Sequence, residues 1–326
     1  MNTQRFLQTP QRGVTLIELM VSLAIGLVIA LVASVAYMAV RSNATAMDAN
    51  SQISQDGKMA LDLIARDIQM AGFYPGVFTP AQEPVGGRPY YFNPKGTQQP
   101  YDQGIFGCDK KIFDPTSAKC TDDSNSDSIV LNYFLAQRKE DLGLNNDIVK
   151  KDCLFNNLSN DADNTPLAAN GVLFVSNRYA VKTSTYDRAS TGSAGNDSTI
   201  QVTTGSLMCH GNGGTSYQPI LDGVVQLRLR YGVAGTSEAP ERYYSASEVS
   251  GLGTQDGRTG WQRVTAVQVC LVMQSIVGGV DTPPEGVKRS YQDCDGKTVD
   301  IASTDHSVYR TFSRTVAARN YLTGIS

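Results

Sequence analysis

Histidine is almost missing from this chain: 326 residues hold two, His210 and His306, and the six cysteines never fall as CxxC. A His/Cys zinc site is therefore disfavoured. Neither G-x-S-x-G nor G-x-G-x-x-G occurs, so the turns that present a nucleophile or cradle a dinucleotide have no foothold. Gly296-Lys297-Thr298 ends like a phosphate loop, but Tyr291 stands where the leading Gly belongs, and the stretch reads as a surface turn. Nothing local pairs either histidine with a nucleophile, and both read as exposed loop residues. Excess charge is lacking too. With 28 basic and 31 acidic residues the net is −3, and no overall basic footprint invites nucleic acid.

What the chain does have is unevenly placed. Hydrophobic residues make up 41%, enough for a folded domain, yet much of that sits near the start. Residues 1–13 are polar and basic, with Arg5 and Arg12 and no acid. Val14 to Val40 then carries a single charge, Glu18. As a helix this run is about 40 Å long, against a bilayer core of about 30 Å. Basic residues ahead of the span put the N-terminus in the cytoplasm and everything after Val40 outside. The run is too long for an ordinary cleaved signal peptide, so the segment is expected to stay with the protein. Glu18 is the anomaly, because a carboxylate deep in an apolar helix costs about 3 kcal/mol and calls for a partner. A generic anchor whose Glu snorkels to the interface is the plainer reading.

Gly13-Val14-Thr15-Leu16-Ile17-Glu18-Leu19 resembles the type IV prepilin motif, a Gly, a hydrophobic residue, and Glu fifth after the cleavage point. The resemblance implies that a prepilin peptidase cuts after Gly13 on the cytoplasmic face and that the new amine, on Val14, is methylated. Gly offers no side chain to obstruct a protease. Val14 stands where Phe is commoner in that family, which bears on methylation more than on class. Glu18 would then meet the N-terminal amine of a neighbouring subunit during filament packing, a pairing that sets register more than stability. Cutting removes Arg5 and Arg12 and takes the net charge from −3 to −5.

Beyond the span, residues 41–70 lack proline, and Ile53, Ala60, Ile64, Ile68 and Ala71 recur at helical spacing. Lys58, Asp62, Arg66 and Asp67 fall mostly off that stripe, Gly57 offers a bend, and Gly72 and Pro75 close the helix. Proline, glycine and tyrosine then crowd 75–115, which reads as irregular and turn-rich. Strands are expected at 129–135, 171–181, 199–204, 223–233, 263–274 and 309–318, with loops at 182–198 and 205–219. The run 263–274 is apolar on both faces and reads as central. In 223–233, Val225, Leu227, Leu229 and Tyr231 take one face. Gln226, Arg228 and Arg230 take the other, as a solvated face or paired with nearby acids. One long helix followed mostly by strands gives an α+β class with a mainly antiparallel head.

Residues 59–73 (MALDLIARDIQMAGF), Leu221-Asp222-Gly223-Val224 leading into LRLRYG, and the closing FSRTVAARN at 312–320 are similar to the PilW family of minor pilins. PilW-like proteins are in turn similar to the GspJ minor pseudopilins of type II secretion. The expected organisation is a leader at 1–13, a pilin helix at 14–72 spanning the membrane over 14–40, and a head at 73–326.

An even cysteine count in a head placed outside the cytoplasm favours disulfides. Six cysteines allow many pairings. A sequential scheme, Cys108–Cys120, Cys153–Cys209 and Cys270–Cys294, is preferred because two of its loops are short and lie in turn-rich sequence. A buried free thiol at Cys270 is the alternative. Asp123, Asn125 and Asp127 alternate like the start of a calcium loop, but Ser128 and Phe134 occupy the places of its Gly and Glu. Asn160-Asp161-Ala162-Asp163 is weaker still, and both read as solvated turns beside strands.

The combined expectation is a non-catalytic minor type IV pilin without a cofactor. It would be made as an inner-membrane precursor of a Gram-negative bacterium and carried to the pilus near its tip. The resemblance implies other minor pilins, the major pilin, the prepilin peptidase and the inner-membrane assembly platform as partners, with a tip adhesin as a further candidate. Loops at 75–125 and 182–219 would serve adhesion and twitching motility. A GspJ-like pseudopilin is the first rival. The second is a membrane-anchored periplasmic enzyme or sensor, and a DNA-uptake pilin would need a local basic patch.

Overall fold

The computed structural model describes residues 15–73, 103–136, 151–158, 172–191, 197–235, 239–255, 257–276 and 288–321. Two compact units divide at Asp48/Ala49. The first contains the start of α1 (Leu16–Met70), which up to Val40 is hydrophobic on every side. Leu16, Leu23, Leu27, Val32 and Met38 are all exposed. The helix runs unbroken through Gly57 to Met70.

In the second unit α1 is amphipathic. Ala49, Ile53, Gly57, Ala60, Leu61, Ile64, Ala65 and Ile68 are buried, the one-sided spacing of a helix lying on a core. That core is built by two antiparallel sheets. The first takes the order β1 (Ile105–Cys108), β4 (Ser128–Ala136), β5 (Val172–Thr191), β6 (Asp197–His210), β7 (Gln218–Asp222). The second runs β13 (Tyr309–Ala317), β10 (Val264–Gln274), β8 (Val224–Ala234), β9 (Pro240–Tyr244). Ile129 and Leu131 of β4, Leu227, Leu229 and Tyr231 of β8, and Val267, Val269 and Leu271 of β10 share one cluster with the helix stripe. Among the described residues there are also two small hairpins, β2 (Lys111–Asp114) with β3 (Lys119–Asp123), and β11 (Arg289–Gln292) with β12 (Thr298–Ile301). A short helix, α2 (Ala246–Gly251), is closed at its start by a reciprocal Ser245–Glu248 capping box.

Several sequence expectations need correction. Of the expected loops at 182–198 and 205–219, residues 182–191 and 205–210 lie in strand: β5 and β6 pair from Arg178↔His210 to Thr191↔Asp197 in one long hairpin around the strand expected at 199–204. Threonine misleads here, since it is a turn former by its hydroxyl and a strand former by its β-branch. Within the turn-rich region 75–115 lie two strands, β1 and β2, with β3 just beyond it; residues 74–102 lie outside the described residues. Gly57 provides a notch and no break. A Cβ there would lie 2.5 Å from the Phe312 ring of β13, so glycine lets the strand's aromatic press against the helix backbone.

Strand β13 secures the helix further, with Arg314 on Asp62 and Arg310 donating to Ser54 Oγ at 2.6 Å. At the helix end Gly72 takes φ +76° and donates to the Asn132 carbonyl at 2.9 Å. The last carbonyls of the helix and its end, on Gln69, Met70 and Ala71, accept from one side-chain amide, Asn320, at 2.9, 3.1 and 3.2 Å. The orphan acceptors of a helix C-terminus are thus met from the far end of the chain.

Filling the notch is expected to cost stability: Gly57→Leu should lose about 2 kcal/mol by overpacking. In a Phe312→Ala background the same change should cost much less. Denaturant unfolding of the four detergent-solubilised proteins checks this, and strictly additive losses would contradict the contact.

Candidate functional site

Glu18 sits in the first turn of α1. Its carboxylate accepts the Thr15 backbone N–H at 3.0 Å and the Thr15 hydroxyl at 2.8 Å, while the Glu18 N–H reaches the Thr15 hydroxyl at 3.4 Å. Thr15-Leu16-Ile17-Glu18 therefore closes as a capping box, and the one acid of the apolar run finds a local partner. Ser22 and Ser34 return their hydroxyls to the carbonyls of Glu18 and Ala30, at 2.6 and 2.8 Å, hiding polar groups on an otherwise apolar surface. Gly13 and Val14 lie outside the described residues. Among the described residues α1 is the one helix long and apolar enough to cross a membrane.

The helix stripe also carries a charge into the head. The Asp67 carboxylate accepts Tyr179 Oη at 2.7 Å, Asn177 Nδ2 at 2.8 Å and Tyr133 Oη at 3.2 Å. All three donors are neutral. Burial pushes the Asp67 carboxyl above the usual range, the three hydrogen bonds opposing it. The sequence reading set Asp67 off the stripe, yet 60, 64, 67 and 71 are themselves helically spaced, a signal that could have found it. Behind this cluster, Cys153 N–H holds the Asn177 amide oxygen at 3.1 Å and so orients its donor toward Asp67.

The calcium-like run is occupied by the protein itself. Asp127 is buried, its two oxygens taking the backbone N–H groups of Lys110 and Leu229 at 2.9 Å each. Arg228, also buried, reaches Asp127 at 3.5 Å, the Asn125 carbonyl at 2.6 Å and Asp295 at 3.1 Å. A guanidinium thus fills the space among the loop oxygens, while Asp123 points to solvent beside Lys111. The expectation of a solvated face holds for exposed Arg230; Arg228 takes the paired alternative, with Asp127 and Asp295. Among the described residues no group of three or more His, Cys, Asp or Glu is placed to hold a metal ion, and 160–163 fall outside them.

His210 is buried at the end of β6, its ring edge-on to Tyr217, so it is not an exposed loop residue; His306 is exposed. Gly296, at φ +75°, makes the turn of the β11–β12 hairpin, where Asp293 and Lys297 pair backbones at 2.9 Å. The cysteines are joined in sequence as Cys108–Cys120, Cys153–Cys209 and Cys270–Cys294. The last bond fastens the β11–β12 hairpin to central strand β10, with Cys294 N–H on Gln226 at 3.0 Å. Loops closed in this way restrict the unfolded chain, by about 3 kcal/mol each in the chain-entropy model.

Comparison with known proteins finds two matching stretches. Residues 9–34 match the prokaryotic N-terminal methylation motif, and 179–320 match the family described as Type IV Pilus-assembly protein W. No curated protein matches the chain. Among solved structures, a type IV-like pilin, TTHA1219 from Thermus thermophilus, is 9% identical. It covers 82% of this chain and 96% of its own, with a TM-score of 0.33.

A half-buried acid whose desolvated carboxyl has a raised folded-state value makes the native state less favourable as pH climbs from the ordinary carboxylate value through the raised one. Removing the charge with Asp67→Asn should therefore raise the melting temperature relative to wild type more at pH 7 than at pH 4. Thermal unfolding across that range checks it. A difference that does not change with pH would show that Asp67 keeps an ordinary titration.

Proposed function

We infer that this type IV pilin-like chain, matched to a pilus-assembly family over 179–320, is a non-catalytic minor pilin. The observation that carries the reading is the methylation motif at 9–34 lying over the start of a helix exposed and apolar on all sides, with Glu18 its only acid before Asp48. Such a surface is stable only in lipid or against similar helices. The precursor would rest in the inner membrane, its N-terminus cytoplasmic and its head periplasmic. After cutting between Gly13 and Val14 and methylation of Val14, the helix would join other minor pilins and the major pilin on the assembly platform. Glu18 would exchange its bond to Thr15 for the amine of a neighbour.

A role in priming pilus growth near the tip follows from that reading. The three disulfides, covering both short hairpins and the 151–158 loop, suit a head that must keep its shape outside the cell. A minor pseudopilin of type II secretion would share every one of these features. A deletion strain separates the two: loss of surface pili and twitching supports the pilin, loss of secreted exoproteins the pseudopilin.

The N-terminal mass of the native protein, from membrane and sheared-surface fractions, tests the class. A chain beginning at Val14, with a methylated amine, is expected. A chain still beginning at Met1 in cells that process other prepilins would overturn the reading. Glu18→Ala should still be cut, yet its recovery in the sheared fraction should fall at least tenfold; equal recovery would remove Glu18 from filament packing.

A further inference from the structure

Residues 151–158 (KDCLFNNL) form a tight strap between β4 and β5. Asp152 is buried at its centre. One carboxylate oxygen accepts the N–H groups of Leu154 and Asn156, at 2.9 Å each, and the other accepts Gly213 N–H at 3.1 Å. Gly211 has to be glycine here, since a Cβ would fall 2.1 Å from the Asp152 oxygen. The Cys153–Cys209 disulfide ties the strap to β6, and Leu158 is fully buried.

On this clamped strap stands Phe155, with φ +60° and 78% of its surface exposed. The left-handed region suits glycine and is rare for a bulky side chain, so the surroundings must impose it. Folding alone gives no reason for an aromatic there: the ring is in solvent, and glycine would fit the backbone better. Among the described residues of the second unit, the other exposed large hydrophobics are Met59 and Met70 on α1 and Tyr243, 39% exposed.

We propose that Phe155 is a preorganised docking knob that inserts its ring into an apolar pocket on the head of a neighbouring pilin-like subunit. Naming that partner rests on the functional reading above; the knob itself rests on the geometry of the strap. A single ring on a rigid loop matches the anchor-in-pocket form of protein hot spots, where a locked conformation lowers the entropy cost of association. Asn156 and Asn157 of the strap pack against Gly213 and Gly214, and Lys151 is its one cation. A membrane surface would ask for several apolar side chains and more positive charge, and a nucleic acid for a basic groove.

The test places the photoreactive residue benzoyl-phenylalanine at position 155 of the full chain in its own cells, with a control at Tyr243. After irradiation, adducts and N-termini are identified by mass spectrometry. The expected result is one discrete adduct from position 155, absent from the control, to another subunit with a processed pilin-like N-terminus. Adducts to lipid, to residues 137–150 or 159–171 of the same chain, to a protein of another kind, or none, would overturn the proposal. If the chain itself still begins at Met1, the functional reading fails; a chain cut at Val14 without the adduct fails the knob alone. In parallel, Phe155→Gly should leave the melting temperature unchanged or higher while co-purification with other pilin-like subunits falls at least tenfold. A parallel loss of stability and co-purification would mark Phe155 as merely structural.

Discussion

Burial of one helical stripe, from Ile53 to Ala71, in a core shared with two antiparallel sheets is the constraint on which the head depends. Among the described residues the head has one other α-helix, short α2, and the α1 stripe joins both sheets in one core. Roughly 2 kcal/mol for each fully buried Ile or Leu makes that stripe the main reason for the second half of α1 to stay seated. The glycine at 57 and the aromatic at 312 show how close the fit is: backbone and ring meet where any larger residue would hold them apart.

Polar groups then specify the seat. Asp67 is an expensive residue to bury, and its three neutral donors satisfy it without neutralising it. An arrangement of this kind adds little stability but penalises any rotation or slip of the helix that would strand the carboxylate. Asn320 does the same at the helix end, and Arg228 at the far side of the core, between Asp127 and Asp295. The disulfides tie three short segments to the sheets or to their neighbours: the β2–β3 hairpin, the 151–158 strap and the β11–β12 hairpin.

Function and fold divide along the same helix. Among the described residues its first part is apolar all round and exposed, the kind of surface that lipid or similar helices cover. Its second part spends its apolar face inside the head. The strap bearing Phe155 is the reverse case, where rigid polar clamping exposes an aromatic in place of hiding one.

Signals carried by neighbours in the chain were legible in the residues themselves. The apolar run with a lone Glu18, the helical stripe, the alternating strands at 129–135 and 223–233, and the strand at 263–274 apolar on both faces are local patterns, and helix and strand geometry follow from them directly. So is the match of Gly13 and Glu18 to a processing motif. What failed locally was the β5–β6 hairpin, because Ser and Thr serve turns and strands alike. Other features were beyond local reading in principle. Asp67 meets Tyr179 across 112 positions, Arg228 meets Asp127 across 101, and Asn320 caps a helix end about 250 positions away. Whether a charge is a solvated surface residue or a buried organiser depends on which distant donors the sheets bring to it, and only the tertiary structure decides that.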